Sequence, residues 1–201
     1  MKHLIPILDN GHGGMIGGVY QTPGKRSPKW ERGVLYEGMF NRWVVHRIIE
    51  KLDRNWIPYY YIAPEYRDIS LKTRWTRANK IYYNNKNTYL LSIHANAGKG
   101  RGIEGFTTRG KTTSDAIAEF FLKNIEKRLV EQEMRFDFSD NDRDKEANFL
   151  ILRKFIGPAF LLESGFMDDK QDYYNLWDEH YLETLVNALV EVIIYLYKNG
   201  I

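Results

Sequence analysis

The sequence contains no cysteine. This absence excludes a disulfide framework, so the fold must be held together by non-covalent interactions. It also means that any metal ion bound by side chains must be held by nitrogen and oxygen atoms, and not by thiolates. Histidine, aspartate and glutamate are therefore the residue types that could form a metal site in this chain.

Long hydrophobic runs are also missing. The stretch from Leu185 to Tyr197 is interrupted by Asn187 and Glu191 and is shorter than the roughly 20 residues that span a bilayer. The first residues, 1–9, lack the apolar run and the small-residue cleavage site of a secretory signal. We therefore expect no membrane span and no signal peptide, and a protein made in the cytoplasm that acts after release or export.

Neither sign of charge predominates strongly. The chain has 29 lysines and arginines against 26 aspartates and glutamates, a net charge of +3, and the two signs are interleaved along the sequence. A protein that reads nucleic acid more often concentrates basic residues on one face or helix. We therefore expect no nucleic-acid partner, whereas mild attraction to an anionic polymer is compatible with this composition.

What is present is ordinary globular composition over 201 residues, with 43% hydrophobic and 27% charged residues. This length suits one compact domain with a sizeable core. We therefore expect residues 1–201 to form a single domain, and we expect the protein to be a monomer.

Short apolar runs alternate with longer stretches of helical periodicity. This alternation predicts an α/β fold with a mostly parallel, twisted central sheet flanked by helices on both faces. Two glycine-rich or charged stretches predict long loops, and loops of such length often shape a functional site. Strands are predicted at 4–8, 59–63, 89–93, 102–108 and 159–162, helices at 37–52, 71–82, 117–129 and 181–197, and loops at 15–36 and 133–146.

Polar residues follow three of the predicted strands. His12 comes shortly after the first strand among three glycines, His94 follows the strand at 89–93, and Glu163 follows the strand at 159–162. Ligands of open parallel sheets bind outside the carboxyl ends of the strands. We therefore expect two imidazoles and a carboxylate at one edge of the sheet.

Glu37 opens the first predicted helix and can bring a second carboxylate to the same edge. Two histidines and one carboxylate, with a fourth position open to water, form the ligand set of a catalytic zinc ion. The carboxylate that is not a ligand can then act as the general base, because zinc lowers the pKa of a bound water to about 7. The residues thus predict zinc-dependent hydrolysis.

Four segments carry a resemblance to a known family. In chain order they are Asp9 to Gly14, Glu37 with Asn41, Ser92 to Asn96, and Leu162 to Phe166. Together they resemble the motifs of the zinc-dependent N-acetylmuramoyl-L-alanine amidases of the Amidase_3 type, over nearly the whole chain. Weaker similarity comes from a further set of positions, namely Leu71, Arg74, Ala78, Asn79 and 143–153.

The resemblance implies a function and a role for each site residue. It implies His12, Glu37 and His94 as zinc ligands and Glu163 as the catalytic glutamate. The implied substrate is peptidoglycan, cut at the amide bond between N-acetylmuramic acid and the L-alanine of the stem peptide by zinc-activated water. Small size without a signal peptide is compatible with a lysin of phage or prophage origin.

The sequence departs from the family pattern at two places. Asn10 stands where the family usually has proline, and the segment 15–36 is longer than the usual link between the first histidine and the glutamate. Glu31, which lies in that segment, is therefore a rival to Glu37 as the third ligand. A structural ion pair, for example with Arg153, is the alternative explanation for Glu163.

Two other functions share these features. A zinc peptidase acting on soluble peptides would use the same chemistry on a different substrate. A non-catalytic module that binds cell wall would keep the fold and use its basic surface to hold an anionic polymer, although the intact ligand set argues against it.

Overall fold

The computed structural model describes residues 3–139 and 141–201. Within these residues the chain forms a six-stranded sheet and a separate two-stranded hairpin. The strands are β1 (Ile5–Asp9), β2 (Met15–Ile16), β3 (Val19–Tyr20), β4 (Tyr60–Tyr61), β5 (Thr88–Asn96), β6 (Glu104–Thr107), β7 (Lys145–Glu146) and β8 (Ala159–Phe166).

Helices connect most of the strands. They are α1 (Glu37–Arg54), α2 (Leu71–Asn84), α3 (Thr113–Arg128), α4 (Leu150–Lys154), α5 (Lys170–Leu176) and α6 (Glu179–Asn199). The four long helices confirm the sequence prediction. The short helices α4 and α5 were not predicted, because so few residues do not show a helical period in the sequence. Across the described residues, every helix is too short or too polar to cross a membrane.

The strand order in the large sheet is β4-β1-β5-β8-β6-β7. β1 pairs in parallel with β4 and β5, and β5 pairs in parallel with β8. β6 is antiparallel to β8, and β7 is parallel to β6. The mostly parallel sheet of the prediction is therefore confirmed. Because β1, β5 and β8 run the same way, their carboxyl ends meet at one edge, where parallel sheets bind ligands.

Helices cover both faces of the sheet, also as predicted. Alternate strand residues point to opposite faces, so Leu8 packs in a large cluster with α1, α3 and α6, while its neighbour Ile7 packs in a smaller cluster with α2 and α4. Both side chains are fully buried. Each such burial contributes about 1.5 to 3 kcal/mol, which is why the central strands are almost entirely apolar.

Local signals set the ends of the helices. Ser70 caps α2 by accepting a hydrogen bond from the backbone three residues ahead, and Thr112 with Asp115 forms a capping box at the start of α3. Asp178 caps α6 in the same way, and Gly200 follows its last residue with φ of 76°. These short-range signals explain why sequence reasoning located the long helices well.

The prediction that His94 and Glu163 follow the ends of their strands is wrong. β5 continues to Asn96 and β8 to Phe166, so both residues lie inside strands, and they are paired with each other in register. Strand pairing depends on backbone groups, so it can continue where the side chains become polar. The pairing becomes irregular only between His94 and Asn96.

The two predicted loops are only partly irregular. The segment 15–36 contains the antiparallel hairpin of β2 and β3, and the segment 133–146 contains β7 at the edge of the large sheet. Two-residue strands leave no alternating pattern in a sequence, which is why these elements were not predicted.

Candidate metal centre

His12 lies in a turn with an uncommon backbone. Gly11 has φ of +35° and His12 has φ of +58°, a region that side chains other than glycine rarely adopt. A Cβ atom on Gly11 would lie 2.4 Å from Cε1 of His94. Glycine at position 11 therefore lets the two histidines approach, with ring centroids 5.1 Å apart and rings nearly perpendicular.

A buried ion pair braces this turn. The carbonyl oxygen of His12 accepts hydrogen bonds from Nη2 of Arg74 at 3.0 Å and from Nη2 of Arg42 at 3.4 Å. Arg74 also pairs with the buried carboxylate of Asp9, which accepts a second hydrogen bond from the Ser92 hydroxyl at 2.7 Å. Burial alone would raise the pKa of Asp9, but the arginine and its other partners hold it below the usual value.

Glu37, the first residue of α1, is the point where the cluster converges. Its side chain is 2% exposed, and its Oε1 lies 2.9 Å from Nδ1 of His94 and 3.1 Å from Nε2 of His12. The helix can come this close because position 38 is glycine, where a Cβ would lie 1.9 Å from the carbonyl oxygen of Gly13. The three candidate ligand atoms all lie within 4.8 Å of one another.

The electrostatics of this cluster favour an ionised carboxylate. Burial raises the pKa of Glu37, but the contacts with His12 and His94 outweigh this effect and hold the pKa well below its ordinary range. The buried Nε2 of His12 has no hydrogen-bond partner among the described residues, although Glu37 is near. An unsatisfied ring nitrogen beside a carboxylate and a second imidazole fits a divalent metal ion, and the donor set is that of catalytic zinc.

Glu163 stands beside this cluster and has a different environment. It is 9% exposed, and its Oε2 is buried without a hydrogen-bond partner among the described residues. Burial raises the pKa of Glu163 to about 8, with His94 opposing the rise and Glu37 adding to it. Arg153 is exposed and forms no ion pair with Glu163 in the described part of the chain. The structural ion pair considered above is therefore absent there.

One cavity of about 620 Å³ joins all four residues. Side chains of the segment 15–36, of α4 and of the strand ends complete its wall, and most of them are apolar. The apolar part consists of Pro23, Leu71, Ala95, Ala97, Phe149, Leu150, Ile151, Leu161 and Met167. Such a cavity, with a few convergent polar groups, is the usual form of a small-ligand site.

The structure brings together His12, Glu37, His94 and Glu163, but not Glu31. The Glu31 side chain is 58% exposed and pairs with Nζ of Lys170 at 2.9 Å. No described contact joins it to either histidine of the cluster. Of the two glutamates that compete for the role of third ligand, only Glu37 reaches the site.

Sequence reasoning missed two groups at the site. Arg42, on α1, was not singled out, because an arginine inside a helix gives no sign that its head group is buried. Lys25 was assigned only to a loop, although it lines the cavity. The hydrogen bond from the backbone N–H of Glu37 to the carbonyl oxygen of Lys25 brings them together, and no local pattern announces such a contact.

Known proteins resemble this chain over most of its length. The family model described as N-acetylmuramoyl-L-alanine amidase matches residues 7–195. The amidase CwlM of Bacillus licheniformis is 34% identical over 105 residues, which cover 50% of this chain and 37% of that protein. The sporulation-specific N-acetylmuramoyl-L-alanine amidase of Bacillus subtilis (strain 168) is 28% identical over 135 residues, covering 63% of this chain and 50% of that protein.

A solved structure gives the same result for the fold. The N-acetylmuramoyl-L-alanine amidase from Clostridium difficile 630 superimposes with a TM-score of 0.74 and 26% identity, and the match covers 99% of each chain. The matches to the two Bacillus proteins, by contrast, span half of their length or less. Since the family match extends over nearly all of the sequence, this chain belongs to the N-acetylmuramoyl-L-alanine amidase family.

Proposed function

We propose that this protein is a peptidoglycan hydrolase that cleaves the amide bond between N-acetylmuramic acid and the L-alanine of the stem peptide. The observation that carries the proposal is the meeting of His12, Glu37 and His94 beside Glu163 in one cavity. The family membership of the chain and the activity for which its relatives are named supply the substrate.

His12, Glu37 and His94 are the residues that would hold a zinc ion. When bound there, zinc lowers the pKa of a water molecule to about 7 and polarises the scissile carbonyl. The ion pair of Arg74 with Asp9 holds the backbone of His12, so this ligand is positioned before any metal binds. Positioning of this kind keeps a ligand from having to reorganise on binding.

Glu163 would move the proton. Its free Oε2 takes a proton from the attacking water as the water oxygen bonds to the carbonyl carbon. The same oxygen then gives the proton to the alanine nitrogen as the carbon–nitrogen bond breaks, leaving a carboxyl group on the muramic acid and a free amine on the peptide. The raised pKa suits the protonated group that must act as an acid in the second half of the reaction, and a zinc ion held beside it would favour the ionised form needed in the first half.

We further propose that residues 1–201 act as one catalytic domain and as a monomer. The likeness to the Clostridium difficile amidase over 99% of both chains supports the single domain. The protein would act on the cell wall after release or export. A lysin of phage or prophage origin is one setting, and the sporulation-specific relative supports a second setting, remodelling of the wall by the bacterium itself.

The experiment compares the wild type with Glu163→Gln and His94→Ala on purified peptidoglycan. The measurements are zinc per chain and alanine release, which here means the release of stem peptide whose N-terminal alanine has a free amino group. Glu163→Gln should keep its zinc and lose activity by about 10²- to 10⁴-fold, the usual contribution of general acid–base catalysis. His94→Ala should lose both zinc and activity, because it removes a ligand.

Three results would count against the proposal. Undiminished alanine release by either variant would remove the assigned role from that residue. Binding of the wild type to wall sacs without any amine release would instead favour the non-catalytic wall-binding module. Cleavage of soluble peptides that lack muramic acid, at a rate equal to that on muramoyl-peptides, would favour the zinc peptidase.

A further inference from the structure

One basic side chain lines the cavity at the candidate metal centre. Among the described residues that line it, Lys25 is the single lysine or arginine, and the groups that can be negative are Glu37 and Glu163. A cation in this position is not needed to fill the cavity, since its walls are largely apolar. Its charge therefore calls for a role in ligand binding or in electrostatics.

The backbone of Lys25 is fixed on both sides. Its N–H donates to the carbonyl oxygen of Thr22 at 3.2 Å, and its carbonyl oxygen accepts from the N–H of Glu37 at 3.0 Å. The lysine is thus tied directly to the first residue of α1. It belongs to the segment 15–36, where the sequence departs from the family pattern in length.

The ammonium group keeps its hydrogen-bond donors available. Nζ of Lys25 lies 3.9 Å from Oε2 of Glu37, which is close enough for attraction but beyond a hydrogen bond. The side chain is 54% exposed to solvent. In the described part of the chain, therefore, no carboxylate takes up the donors of this ammonium group at hydrogen-bonding distance.

The chemistry of the substrate limits what such a group can bind. This step rests on the proposed function. The scissile amide already uses the carboxyl group of muramic acid, and the sugar hydroxyl and acetamido groups are neutral. Any free carboxylate of a muramoyl-peptide near the scissile bond therefore lies on the peptide side.

We propose that the ammonium group of Lys25 binds a carboxylate of the stem peptide and makes the enzyme prefer stem peptides with a free acid over amidated ones. An ammonium and a carboxylate form a charge-assisted hydrogen bond, which a neutral amide cannot match.

The test uses two muramoyl-tripeptides that differ only in the side-group carboxyl of the second residue, which is a free acid in one and a primary amide in the other. Lys25→Met keeps the aliphatic stem and removes the charge. Lys29→Met, in the same segment and also exposed, is the matched control. Lys25→Met should raise KM for the acid about tenfold and leave kcat and the amide substrate nearly unchanged. Lys29→Met should behave as the wild type.

An equal loss of activity on both substrates, or a changed zinc content in Lys25→Met, would overturn the proposal. Either result would mean that Lys25 acts only by supporting Glu37. Calorimetry of both tripeptides with Glu163→Gln, and with Glu163→Gln combined with Lys25→Met, measures binding without turnover. Tighter binding of the acid that depends on Lys25 would support the proposal even if the wild type released no alanine, a result that would refute the proposed reaction separately. Equal binding of acid and amide would overturn it.

Discussion

The turn that carries His12 and the strand that carries Glu163 lie at the same edge of the sheet but are held very differently. The carbonyl oxygen of His12 accepts hydrogen bonds from two arginines, and one of these is paired with the buried Asp9. The side chain of Glu163 is almost as buried as that of Asp9, yet its Oε2 has no hydrogen-bond partner in the described residues.

This difference in hydrogen bonding corresponds to the two roles proposed for His12 and Glu163. In the proposed mechanism His12 is a metal ligand, and a ligand whose backbone is already fixed by charges of the fold needs no reorganisation to bind. Glu163 is proposed to exchange protons with the substrate, and its buried Oε2 without a hydrogen-bond partner, which costs stability, is compatible with that role. The braced turn should therefore be sensitive to the loss of its supporting residues, and this sensitivity can be measured.

Arg74→Met gives the largest expected effect on stability. It removes the partner of Asp9 and leaves a buried carboxylate unpaired, which typically costs about 3 to 5 kcal/mol in the free energy of unfolding. Arg77→Met is the matched control, because Arg77 lies on the same helix and pairs with Glu65 near the surface. Its cost should be about 1 kcal/mol or less. Denaturant unfolding of both variants measures the difference.

Zinc affinity is the second measurement that distinguishes Arg74→Met from Arg77→Met. If Arg74 braces His12, Arg74→Met should bind zinc more weakly than the wild type even under conditions where it is fully folded. Adding Asp9→Asn to Arg74→Met should recover part of the lost stability, since the two residues interact directly. Equal costs for Arg74→Met and Arg77→Met would contradict the assignment of Arg74 as the residue that braces the turn of His12.

Gly11→Ala is expected to cost less, about 3 kcal/mol, because it combines backbone strain with a collision against the His94 ring. Gly17→Ala separates these two causes. Gly17 also has a positive φ, of 55°, but a Cβ there would meet no atom within 4 Å. Its cost should therefore be the strain alone, about 1 kcal/mol. Thermal unfolding and zinc content of both variants test this, and a normal zinc content in Gly11→Ala would show that the close approach is dispensable.

The fold was largely readable from the sequence, because its signals are local. Apolar runs indicated the central strands, and the periodicity and caps of α2, α3 and α6 indicated the long helices. The site was readable for the same reason in part. His12 stands among glycines, and Glu37 opens a helix, so each is marked by its own neighbours.

The remaining features depend on contacts between distant residues. The segment 15–36 is ordered by hydrogen bonds such as that from the N–H of Gly13 to the hydroxyl of Thr22, and that from the N–H of Gly38 to the hydroxyl of Tyr20. Nothing near Thr22 or Tyr20 in the sequence announces these partners. The position of Lys25 in the cavity follows from this order, so it could not be predicted.

The smallest expected effect separates the two glutamates that competed as third ligand. Glu31→Gln should leave zinc per chain and alanine release unchanged, because Glu31 is exposed and pairs with Lys170 on the surface. Glu37→Gln should lower both, because Glu37 contacts both histidines. Loss of zinc in Glu31→Gln would mean that the segment 15–36 rearranges when metal binds. In that case only the turn of His12 would be fixed before metal binds, and the start of α1 would not be.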